Sequence, residues 1–134
     1  MVRINRVCFL ALLAGLAQGQ WPQFRGPAGS GISVKSAPVN WSGESGRNIV
    51  WKREIPGLAH SSPIIWEDRI FLTSAVPVSG EAALKLGLYG DIGSVENEGG
   101  HKFVLYCLDR KSGKILWERT AISREPRVKR HPKS

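Results

Sequence analysis

From Asn48 to Thr120, apolar residues recur at every second position in short runs, which is the period of strands and not of helices. Asn48 to Ile55 alternates and closes at Pro56-Gly57, so it predicts a first, edge strand ended by a turn. Ser62 to Trp66 and Arg69 to Ser74 are rich in Ile, Phe and Trp and are separated only by Glu67-Asp68, the length of a tight hairpin loop. Glu-Asp is poor chemistry for such a turn, so the pattern leaves the register of this hairpin open. A third run, Lys102 to Asp109, joins a fourth, Lys114 to Thr120, across Arg110-Lys111-Ser112-Gly113, where Gly113 can supply the positive φ that the loop requires. The expectation is an all-β unit, a four-stranded antiparallel meander.

The segments around these runs read differently. Residues 20–47 are dense in Gly, Pro and Ser and predict a lead-in without regular structure. Between the second and third strands, Ala75 to His101 forms a Gly-rich insertion (75–101) of a length that is uncommon inside a compact unit, with one or two helical turns expected over Glu81 to Leu88. The organisation is therefore residues 1–19, a lead-in over 20–47, an edge strand and first sheet over 48–120, and a basic irregular tail over 121–134.

Residues 1–19 have the pattern of a secretory signal peptide. Arg3 and Arg6 precede the apolar run Val7 to Leu16, and Ala17-Gln18-Gly19 places small residues where cleavage after Gly19 would need them. The apolar run is about half of the roughly twenty residues that a membrane span requires. Export to the periplasm or the extracellular space is the expectation, with no integral membrane span.

Composition changes this picture little. The 42% hydrophobic and 22% charged residues are ordinary for a folded domain. The formal charge of +8 falls to +6 when Arg3 and Arg6 leave, and much of the excess lies at Arg119, Arg124, Arg127, Lys129, Arg130 and Lys133. No aromatic residue from Thr120 to Ser134 could stack on bases, so the charge is read as a solvated segment and not as a nucleic-acid site. Without Cys8, Cys107 stands alone and cannot form an internal disulfide; its place in an alternating run marks it as a small buried hydrophobe. His60, His101 and His131 are far apart and lack ligand-spaced partners, so no metal site is expected.

Leu105-Tyr106-Cys107-Leu108-Asp109-Arg110-Lys111-Ser112-Gly113-Lys114-Ile115-Leu116-Trp117-Glu118 resembles the blade repeat of the PQQ-binding-like, quinoprotein-type β-propellers. Ser61-Ser62-Pro63-Ile64-Ile65-Trp66 with Arg69-Ile70-Phe71-Leu72 is similar to the first hairpin of such a blade. Trp21-Pro22-Gln23-Phe24-Arg25-Gly26-Pro27, Trp41-Ser42 and Ile49-Val50-Trp51-Lys52 resemble the start of bacterial exported members.

The resemblance implies one blade of an incomplete propeller, with Trp51, Trp66, Asp109, Gly113 and Trp117 as its structural motif. Trp117 would fill the space between blades, and Trp51 would do so where the chain's two ends close the ring. It also implies a non-catalytic binding or assembly scaffold of the cell envelope, like the outer-membrane assembly propeller of the same superfamily. Its partner would be an unknown protein or a small molecule on the complete propeller. A PQQ-dependent dehydrogenase is the alternative for the parent protein, and a truncated product with no activity of its own is the alternative for this chain. No catalytic or metal residue is assigned and no cofactor is predicted for this chain, PQQ with calcium belonging only to a full-length enzyme.

Overall fold

The computed structural model describes residues 20–33, 35–80 and 99–128. The signal peptide expected over 1–19, the helical turns expected over Glu81 to Leu88 and the end of the basic tail lie outside the described residues. Four strands, β1 (Ile64–Trp66), β2 (Arg69–Pro77), β3 (His101–Asp109) and β4 (Ile115–Arg124), form one antiparallel sheet in the order β1-β2-β3-β4. Among the described residues no helix is long and apolar enough to cross a membrane.

The register explains why one face of the sheet is buried. Ile70 pairs with Leu108, Leu72 with Tyr106 and Ser74 with Val104, and directly opposed residues share a face. Val104, Tyr106 and Leu108 form the core, with Ile55, Ile70, Leu72, Val76 and Ile115 packed against them. The opposite face carries the rows Phe71–Cys107–Trp117, Thr73–Leu105–Arg119 and Ala75–Phe103–Ile122. Phe103, Trp117 and Ile122 remain 38%, 37% and 45% exposed while Cys107 between them is 1% exposed, so this face is apolar and open mainly along β4.

The expected strand over 48–55 does not form. Asn48 takes φ 54°, and the segment runs on without a ladder partner, delivering Ile55 to the core. The alternation of Asn48 to Ile55 thus marks which side chains face the sheet and not a strand within it.

The hairpin left open in the sequence takes the register Ile64↔Phe71, Ile65↔Ile70 and Trp66↔Arg69. Glu67 accepts φ 53° to close it, which costs an L-residue about 1 kcal/mol. The turn is held from outside, because the Arg110 amide donates to the Asp68 carbonyl at 2.9 Å and the Arg110 guanidinium to the Glu67 carbonyl at 3.2 Å. The Asp68–Arg69 ion pair at 2.9 Å is solvent-exposed and adds little.

β1 is shorter than the run Ser62 to Trp66 because a side chain takes over the ladder. The Ser61 hydroxyl donates to the Thr73 carbonyl at 2.8 Å and accepts from the Thr73 amide at 3.0 Å, doing the work of a backbone residue. One step further, Leu58 bridges Ala75, and the buried Ser74 hydroxyl donates to the Pro56 carbonyl at 2.6 Å. Gly57, at φ 81°, lies so close to the Ala75 carbonyl that any Cβ would overlap it.

Two of the long strands, β2 and β4, run past their expected ends. β2 continues through Ala75-Val76-Pro77, so the insertion begins later than 75. β4 continues through Ala121 to Arg124, so the boundary at 120 falls inside a strand. Ala121 is an extra residue there, between Thr120↔Val104 and Ile122↔Phe103, and this break in alternation made the strand look finished.

Candidate functional site: the tryptophan-docked turn

The turn joining β3 to β4 is closed by several short hydrogen bonds. The Asp109 carboxylate accepts from both the amide and the hydroxyl of Ser112, each at 2.7 Å. The Gly113 amide donates to the Asp109 carbonyl at 2.8 Å, and the Asp109 amide to the Lys114 carbonyl at 2.8 Å. Gly113 sits at φ 67°, a region costly for any residue with a Cβ. Bonding to the Ser112 hydroxyl, and then to the Ser112 amide, holds the Asp109 carboxyl below the usual carboxylate range.

Trp51 closes over this turn. Its indole lies so close to Gly113 that a Cβ there would overlap the ring, and its Nε1 donates to the Arg110 carbonyl at 2.9 Å. Two residues on, the Arg53 guanidinium donates through Nε to the Gly113 carbonyl at 3.0 Å. The bare glycine is thus required twice, for its backbone angle and for the flat surface it offers an aromatic ring.

The five motif residues are therefore placed unequally. Trp51, Asp109 and Gly113 meet at one turn. Trp66 stands at the end of β1 in the row Trp66–Arg69–Asp109 and is 52% exposed. Trp117 lies on the open face opposite Cys107, with its ring centroid 6.0 Å from that of Phe71 and the Arg119 guanidinium 6.0 Å from it. The strand that was to carry Trp51 into a ring closure is absent, and Trp51 docks instead on the turn of its own sheet.

Arg110 and Arg53 were missed by sequence reasoning, although a signal for Arg53 is present. Ser45-Gly46-Arg47-Asn48-Ile49-Val50-Trp51-Lys52-Arg53 repeats Ser112-Gly113-Lys114-Ile115-Leu116-Trp117-Glu118-Arg119 with one residue added. Gly46 and Gly113 share positive φ, 73° and 67°. The Trp-x-Arg of the first copy is docked through both side chains; in the second, Arg119 lies over its own Trp117.

The chemistry available elsewhere is modest. Burial pushes the Cys107 thiol up, which disfavours the thiolate and its nucleophilicity. Burial, with a smaller effect of Glu118, likewise raises the Tyr106 hydroxyl. Among the described residues no three His, Cys, Asp or Glu side chains gather where they could hold a metal ion. A cleft of about 300 Å³ on the open face, with Leu58, His60, Ser61, Phe103, Leu105 and Ala121 in its walls, holds none of the five motif residues.

No protein-family model matches the chain, and no curated protein or solved structure matches it.

Proposed function

We propose that the chain contributes a blade to an exported β-propeller of the quinoprotein type, which works as a non-catalytic binding or assembly scaffold of the cell envelope. The observation that carries this reading is the paired occupancy of its two Ser-Gly…Trp segments. One tryptophan, Trp51, is docked on a Gly turn through ring contact and a 2.9 Å hydrogen bond, while its counterpart Trp117 lies on an apolar face with no turn against it among the described residues. A unit that has filled one such site and holds the other ready is built for radial repetition, in which each blade covers the next one's exposed sheet. Scaffold function follows from the same economy, since it needs only surfaces and places no demand on titratable groups.

The test is to read the coding frame past Ser134 and to express the chain with whatever follows. The reading expects further Asp-x-x-Ser/Thr-Gly turns, each followed by Trp, and a Trp117 that becomes shielded from acrylamide quenching, measured as the difference from Trp117→Phe. A frame without such units, or a Trp117 quenched as readily as in the 134-residue chain, would remove the propeller. Alcohol oxidation by the extended protein loaded with PQQ and calcium would replace the scaffold by a dehydrogenase.

A further inference from the structure

The two edges of the sheet are not equivalent. Outside β1, Trp21 exchanges both backbone hydrogen bonds with Ile65 at 2.9 Å and so occupies that edge. Among the described residues β4 pairs with β3 alone, and every residue from Leu116 to Arg124 is exposed. The N–H and C=O groups on its outer side are a ready template for another strand.

The side chains along this edge have a definite order. On the face shared with Phe71, Trp117, Arg119, Ile122 and Arg124 stand opposite Cys107, Leu105, Phe103 and His101 of β3. Apolar and cationic residues therefore alternate along one row, while Glu118 projects on the other face with Thr120 and Ser123, opposite Tyr106, Val104 and Lys102. The extra residue Ala121 keeps the row in step with an unbulged partner, as it does with β3.

We propose that β4 is a docking edge for an extended acidic segment of a partner protein, added antiparallel as a fifth strand. Its sequence would read acidic-x-apolar-x-acidic-x-apolar, which sets carboxylates opposite Arg124 and Arg119 and apolar side chains opposite Ile122 and Trp117. Charges of one sign on an edge normally keep other strands away; here they select the strand that carries the opposite sign. This does not rest on the propeller reading, because strand addition uses the backbone of the outer edge and blade stacking uses the faces.

The experiment uses the full chain and the capped peptide Glu-Thr-Val-Thr-Glu-Thr-Val, with binding followed through the backbone amide resonances. The expected result is saturable shifts confined to β4 and its neighbours. Alternate N-methylation of the peptide, which deletes backbone donors and keeps its charge, should weaken binding about tenfold or more. The double variant Arg119→Glu, Arg124→Glu should lose about tenfold for this peptide and gain affinity for its Lys-for-Glu counterpart. Since both sites are exposed, the variant is expected to fold, which its unshifted core resonances would confirm. Equal binding of the N-methylated peptide, shifts scattered over other basic residues, or no binding at all would overturn the proposal. So would a uridine oligonucleotide that displaces the peptide at lower concentration, which would assign the edge to nucleic acid.

Discussion

Trp51 and Trp117 occupy matching places in two nearly repeated segments, yet one is docked on a turn and the other lies on the open face of the sheet. Trp51 arrives from a segment with no ladder of its own and is held by a glycine surface, a carbonyl and, through Arg53, a second carbonyl. Trp117 sits in a regular strand and, among the described residues, meets the Phe71 ring and the Arg119 guanidinium. The difference teaches that the tryptophan is not what secures the contact. The turn is, since the Asp109–Gly113 turn offers the Trp51 ring a flat, Cβ-free seat at Gly113 and an outward carbonyl at Arg110.

The sharpest way to break this comparison is to spoil the seat. Gly113→Ala adds a Cβ at positive φ and drives it into the indole, so the chain should lose about 3 kcal/mol of stability, from backbone strain and overpacking together. Chemical denaturation checks it, and a loss below about 1 kcal/mol would mean that the ring swings aside without consequence.

Next come the two tryptophans themselves. Trp51→Ala should cost about 2 to 3 kcal/mol, since it removes a half-buried ring and a hydrogen bond, whereas Trp117→Ala should cost under about 1 kcal/mol. Equal losses in thermal melts of the two variants would erase the distinction between docked and undocked copies.

A smaller effect is expected at the Ser61 splice. Ser61→Ala leaves the Thr73 amide and carbonyl to water at the end of β1 and should cost about 1 kcal/mol, with faster exchange of the Thr73 amide. Ser61→Thr, which keeps the hydroxyl, should stay near the parent; matching losses in both variants would discard the splice.

The smallest effect concerns pH. The Asp109 carboxyl is lowered in the fold by its bonds to Ser112, so its contribution is complete above the unfolded carboxyl value and is lost as pH falls through the folded one. A carboxyl carbon titration by NMR should place the Asp109 midpoint below that of the same residue in the urea-denatured chain, and Ser112→Ala should move it upward. An unchanged midpoint in that variant would assign the shift to something other than Ser112.

Much of the fold was legible because alternation is a local property. The two hairpins, their order and the use of Gly113 all follow from period-two runs and turn residues, and Cys107, read as a small buried hydrophobe, is 1% exposed. Strand ends were less legible. The ladder at β1 stops where a Ser61 hydroxyl replaces a backbone partner, and β4 outlasts its alternation because Ala121 is a bulge. Both effects depend on the neighbouring strand.

Of the candidate site, residue types were readable and partners were not. Asp109 and Gly113 read as turn formers from the chain's own order, while the selection of Trp51, Trp66 and Trp117 beside them came from the resemblance to a propeller blade. That Trp51 meets Gly113, that Arg110 binds the two hairpin turns together while Arg53 bonds the Gly113 carbonyl, and that Trp117 lies on the open face were decided only in three dimensions. Trp51 lies about sixty positions from Gly113 in the chain, and no local propensity spans such a distance. Their contact exists because the buried face of the sheet draws Ile55, and with it the segment that carries Trp51, across the core formed by Val104, Tyr106 and Leu108.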